Sequence, residues 1–128
     1  MTGHRILVVE DNERNLKLVR DILKYAGYEV IAARSGEQGV DLAREQRPDL
    51  VLMDLQLPAM DGVEALRLLR DDPDTRPIPV VAVTAFAMKD DRDRARRAGF
   101  DGYLEKPINV RAFPELVRGF LHSKEDPA

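Results

Sequence analysis

Short unbroken apolar runs alternate along this chain with longer stretches in which apolar residues recur every three or four positions. The runs cover residues 6–9, 30–33, 50–53 and 80–83, and a weaker one follows at Tyr103 and Leu104. Runs of Val, Ile and Leu without polar alternation are what strands covered on both faces require. The stretches between them are long enough for helices of about three turns. Residues 12–26 are closed by Gly27, a natural left-handed stop. Residues 35–44 open on Ser35 as N-cap, with Gln38 three positions on. Residues 61–70 open on Asp61, residues 90–98 are closed by Gly99, and residues 109–121 carry Val110, Phe113, Leu116, Val117, Phe120 and Leu121 at helical spacing. Five strand-then-helix units in succession predict an α/β fold. The form is a doubly wound, five-stranded parallel sheet with five helices on its two faces and right-handed crossovers.

The 128 residues fit one domain, expected over residues 4–122, with residues 123–128 as a disordered tail and no output domain. Two apolar stripes run along the first helix: Leu18, Ile22 and Tyr25, and Leu16, Val19, Leu23 and Ala26. One stripe suffices for a surface helix, so the surplus either widens the core contact or stays outside for a partner helix. With 20 Lys and Arg against 23 Asp and Glu, the formal charge of −3 gives no basic excess for nucleic acid. Absence of cysteine excludes disulfides, thiolate catalysis and cysteine-held metals. No apolar run approaches the roughly 20 residues of a membrane span, and the first residues do not resemble a signal peptide, so the cytoplasm is the expected location. The basic stretch at residues 92–97 reads as a solvated helix face, with partner binding as the alternative. His4 and His122 read as surface residues near the ends of the chain.

In open parallel sheets, ligands bind beyond the carboxyl ends of the strands, where the strand order reverses. Glu10 and Asp11 follow the first run, Asp54 ends the third, Thr84 ends the fourth, and Glu105, Lys106 and Pro107 follow the fifth. Three acids, a hydroxyl and an ammonium group are thus expected on one edge. Acids held that close repel unless a cation sits among them, and an all-oxygen donor set suits Mg²⁺. The backbone carbonyl of Gln56 is a candidate further donor. Lys106 can reach an anionic oxygen, or a carboxylate when no anion is present. Ion, ammonium and hydroxyl around one carboxylate make a cage for a phosphoryl group in transfer, with Asp54 as nucleophile.

Glu10-Asp11, Asp54, Thr84-Ala85 and Lys106-Pro107, with Leu57-Pro58 and Asp61-Gly62 after the acceptor, resemble the receiver domain of two-component response regulators, the CheY-like family. The resemblance covers about residues 4–122. Residues 9–13, 54–58 and 80–89 are similar to the DivK type of stand-alone regulator, which acts in cell-cycle and polarity signalling. The resemblance implies strand order 2-1-3-4-5. It implies that Asp54 takes a phosphoryl group from a phosphohistidine on a sensor histidine kinase or a histidine phosphotransfer protein. Glu10, Asp11, Asp54 and the Gln56 carbonyl would hold Mg²⁺, with Mn²⁺ as a substitute and Glu10 acting through water. Thr84 and Lys106 would bind the phosphoryl oxygens.

By the same resemblance Tyr103 would turn inward as Thr84 moves, reshaping the face of the fourth helix, fifth strand and fifth helix for a downstream protein. A cis bond at Lys106–Pro107 is implied as well. Phe86 is expected at the mouth of the site, shielding the acyl phosphate. The expected product is a signalling switch that is not an enzyme acting on other substrates, a monomer with phosphorylation-dependent dimerisation left open. A phosphatase of the haloacid dehalogenase type would need a second Asp where Gln56 stands, and an amide cannot carry the proton.

Overall fold

The structure, a computed structural model, describes residues 3–84, 89–106 and 108–125. The elements alternate in chain order as β1 (Arg5–Val9), α1 (Glu13–Tyr25), β2 (Glu29–Ala33), α2 (Gly36–Gln46), β3 (Leu50–Asp54), α3 (Gly62–Asp71), β4 (Val80–Thr84), α4 (Lys89–Ala98), β5 (Gly102–Glu105) and α5 (Phe113–Glu125). All strands are parallel, in the order β2-β1-β3-β4-β5. Ile6 pairs with Leu50 and Val9 with Met53, so β1 and β3 end side by side at the centre. The order reverses between these two strands, which places a crevice beyond their carboxyl ends.

Two apolar layers hold the sheet. Leu7, Val9, Val51, Met53, Val80 and Ala82 point to one side, where Val40 and Ala43 of α2, Ala65, Leu66 and Leu69 of α3 and Ala95 of α4 cover them. Ile6, Val8, Leu50, Leu52, Val81 and Val83 point to the other, beneath Leu16, Val19 and Leu23 of α1 and Phe113, Val117 and Leu121 of α5. Every residue of β3 and β4 is buried. β2 corrects the reading that each run is covered on both faces: only Ile31 and Ala33 are buried, because an edge strand has helices over less of its width.

The caps follow local chemistry. The Asn12 side chain accepts from the Asn15 N–H, Ser35 from Gln38 and Asp61 from Glu64. Gln38 reaches back one residue further than a capping box requires, its Oε1 accepting from the Arg34 N–H at 2.8 Å. Gly27 and Gly99 take positive φ values of 98° and 105° after α1 and α4. The last helix starts later than its apolar spacing suggests. Asn109 instead accepts from the N–H groups of Arg111 and Ala112 in a turn, and α5 begins at Phe113. It then runs to Glu125, into the stretch expected as a tail.

Candidate functional site

Backbone ladders carry three of the expected side chains to one place. The Glu10 N–H bonds the Ala33 carbonyl at 2.9 Å, extending β1 past its last paired residue. The Leu55 N–H bonds Val83 at 3.0 Å and the Lys106 N–H bonds Thr84 at 2.8 Å. Side chains leaving the ends of β1, β3 and β5 therefore meet over the crevice. Lys106 Nζ lies 2.6 Å from Glu10 Oε1 and 2.9 Å from Asp54 Oδ2. The other oxygen of Asp54, Oδ1, accepts the Gln56 N–H at 2.9 Å, which fixes the rotation of the carboxylate. Glu10, Asp54 and Thr84 are buried, at 5%, 3% and 1% exposure, whereas Asp11 is exposed.

Burial dominates the electrostatics. Glu10 is pushed up from its ordinary 4.5 to about 7, first by desolvation and next by its hydrogen bond with Asp54, while Lys106 opposes the rise. Lys106 is itself raised: burial alone would lower it, but its two carboxylate partners outweigh that. Beneath these groups is a cavity of about 20 Å³, walled by Val8, Val19, Leu52, Val83 and Phe113. Such apolar walls are the source of the desolvation. Carboxylate oxygens of Glu10, Asp11 and Asp54 all lie within 4.8 Å of one another.

On the solvent side the site opens into a depression of about 240 Å³, lined by Leu55, Gln56, Asp61, Val63, Thr84, Arg94 and Ala95. Thr84 thus borders this depression. Tyr103 sits two residues short of Glu105, the register partner of Thr84. It is half-buried and packs against the layer under α2, α3 and α4. The Arg92 guanidinium lies 5.8 Å from its ring centroid and also pairs with Glu105 at 2.8 Å. Ala85, Phe86, Pro107 and the side chain of His122 lie outside the described residues.

Sequence reasoning gathers Glu10, Asp11, Asp54, Gln56, Thr84 and Lys106 on this edge, and all six are there. Several features escaped it. The shorter of the two Lys106 contacts is to Glu10, because both strand ends flank the same crevice. A Cβ on Gly62, the first residue of α3, would sit 2.8 Å from the Asp54 carbonyl oxygen and 3.1 Å from Leu55 Cα. The Asp61-Gly62 pair was visible as a signal, but not the close approach behind it. Ala59 takes φ = 65° in the loop after β3, and Met60 N–H bonds the Pro58 carbonyl across it at 2.7 Å.

The family model of the response regulator receiver domain matches residues 6–118. The polar-differentiation response regulator DivK of Brucella anthropi is 52% identical over 116 residues, 91% of this chain and 94% of that protein. DivK of Brucella ovis shows the same identity and coverage. Among solved structures, the receiver domain of sensor histidine kinase PA1611 from Pseudomonas aeruginosa, with a magnesium ion coordinated in its active site cleft, is similar with a TM-score of 0.87. It is 36% identical, over 94% of this chain and 99% of that one. A CheY-like response regulator receiver domain protein from Methanospirillum hungatei is similar at a TM-score of 0.86 and 30% identity, over 97% and 98% of the two chains.

Proposed function

Because the chain belongs to the response regulator receiver domain family, we propose that it is a phosphorylation-controlled interaction switch with Asp54 as its acceptor. The observation that carries this reading is the meeting of a buried Asp54 with Lys106 and Glu10 at the crevice between β1 and β3. An aspartate in that position has its carboxylate rotation fixed by Gln56 and a cation already at hand.

The donor set fits a divalent ion. Three carboxylates within 4.8 Å of one another are all oxygen donors, and a cation among them would offset the burial and the Asp54 contact that raise the proton affinity of Glu10. Glu10, Asp11, Asp54 and the Gln56 carbonyl would hold Mg²⁺, or Mn²⁺ in its place, with Glu10 acting through water. Bound there, the ion supplies positive charge against the phosphoryl oxygens during transfer.

The chain's own residues do the rest. An Asp54 carboxylate oxygen attacks the phosphorus of a phosphohistidine. The P–O bond forms as the P–N bond breaks, and the electron pair goes to the donor imidazole nitrogen, which takes up a proton. Lys106, kept charged by its acidic neighbours, passes from Asp54 to a phosphoryl oxygen. The Thr84 hydroxyl donates to another. Tyr103 follows Thr84 inward and alters the face of α4, β5 and α5 that a downstream protein reads.

The phosphoryl donor is a sensor histidine kinase or a histidine phosphotransfer protein, and residues 4–122 form the receiver unit. The chain's own chemistry is limited to gaining and losing the phosphoryl group. Similarity to DivK over most of both chains supports a role in polarity and cell-cycle signalling in the cytoplasm, as a monomer or a phosphorylation-dependent dimer.

Acetyl phosphate with Mg²⁺ tests the assignment. Intact-mass spectrometry is expected to show one phosphoryl adduct on the parent protein and none on Asp54→Asn. Equal labelling of the variant would move the acceptor elsewhere.

A further inference from the structure

Between α3 and α4, around the corner from the candidate site, runs an open groove of about 390 Å³. Arg67 and Arg70 line its α3 side and Arg94 and Arg97 its α4 side, over a floor that includes Val63 and Ala98. Four guanidinium groups around one groove stand out in a chain whose formal charge is −3.

Arg70 is already engaged. It donates to the carbonyls of Arg76, Ile78 and Gly99 and pairs with Asp101 at 2.7 Å, tying the end of α3 to the start of β4. The other three are exposed, and among the described residues none of them forms an ion pair. Arg97 makes only a 3.3 Å bond from Nε to the Asp93 carbonyl. Arg94 and Arg97 thus bring two guanidinium groups of α4 to the groove opposite Arg67, and neither is drawn into an ion pair with Asp93 of the same helix. Among the described residues, Asp71 at the C-terminal end of α3 is the one acid of the lining.

We propose that this groove docks an acidic segment of a protein partner. Arginine forks bind carboxylates in a bidentate manner, and two opposed rows three residues apart suit carboxylates spaced along one face of a segment. The aliphatic floor of Val63 and Ala98 takes the apolar residues between them. A nucleotide fits less well. Among the described residues the lining has no aromatic ring to stack a base, and the groove is open along its length rather than enclosing. Val63 and Arg94 also line the depression beside Thr84, so a docked segment would lie continuous with the mouth of the candidate site.

The test is a titration of the ¹⁵N-labelled full chain at low salt with an acetylated peptide of three Glu-Ala-Leu-Asp repeats. Saturable amide shifts are expected at Val63, Arg67, Arg94 and Ala98. Arg67→Gln/Arg94→Gln/Arg97→Gln should weaken binding by about tenfold or more. Arg14→Gln/Arg20→Gln/Lys24→Gln, which removes the same charge from α1, should weaken it less than about twofold. Arg94→Glu/Arg97→Glu should in turn bind the peptide with Lys at its acidic positions. Shifts centred on another face, equal loss in the two triple variants, or no saturation would each overturn the proposal. So would displacement of the peptide by equimolar GMP or a short DNA duplex, which would make the groove a phosphate site.

Discussion

Ala59 shows how much local strain one residue can carry in the loop that follows Asp54. Its φ of 65° lies where a Cβ crowds the following carbonyl, at about 1–2 kcal/mol for an L-residue. A three-residue turn enforces it, closed by the 2.7 Å bond from Met60 N–H to the Pro58 carbonyl. Glycine would remove the strain but would gain chain entropy when unfolded, by about 0.5–1 kcal/mol. Ala59→Gly is therefore expected to stabilise the protein by about 0.5–1 kcal/mol, read as a higher urea midpoint at unchanged slope. A lower midpoint would show that the turn is not strained. Nothing in the sequence signals this, because alanine in a loop carries no mark of its φ. Lys106 is the opposite case. Its place after an apolar run, at the same sheet edge as the acids that follow β1 and end β3, makes contact with a carboxylate readable, and it does contact Asp54.

At the scale of elements, legibility follows the source of each constraint. Strand ends and caps are set by neighbours in the chain, so Asn12, Ser35 and Asp61 cap as their side chains predict. Exposure is set by the rest of the fold. Of the two apolar stripes on α1, Leu16, Val19 and Leu23 face the core while Leu18 and Tyr25 remain exposed, a choice that α5 and the sheet decide. The first turn of α3 combines both influences. Alanine at an ordinary helical position is favoured over glycine by about 1 kcal/mol. At Gly62 the added methyl would press on the backbone of Asp54 and Leu55, which cannot rotate away as a side chain can. Gly62→Ala is thus expected to destabilise by about 1–3 kcal/mol and to slow labelling by acetyl phosphate, because relief requires moving α3 or the Asp54 backbone. A neutral or stabilising effect in urea denaturation, with unchanged labelling, would mean that the helix start yields freely.

For the whole molecule, the acidic crevice ties stability to pH and to divalent ions. Glu10 holds its proton up to about pH 7 in the folded chain but loses it near 4.5 when unfolded. The folded state therefore binds more protons across that window, and stability falls as pH rises from about 4.5 to about 7. A shift of that size bounds the loss at about 3 kcal/mol. An ion bound by the carboxylates reverses the balance, since it needs Glu10 deprotonated and competes with its proton. Thermal denaturation with and without Mg²⁺ is expected to show a small gain in Tm at pH 5.5 and a larger one at pH 8. Glu10→Gln, which cannot ionise, should flatten the metal-free profile between pH 4.5 and 7 and shrink the Mg²⁺ gain at pH 8. A gain of equal size at both pH values in the parent protein would separate the ion from Glu10 and remove that residue from the proposed ligand set.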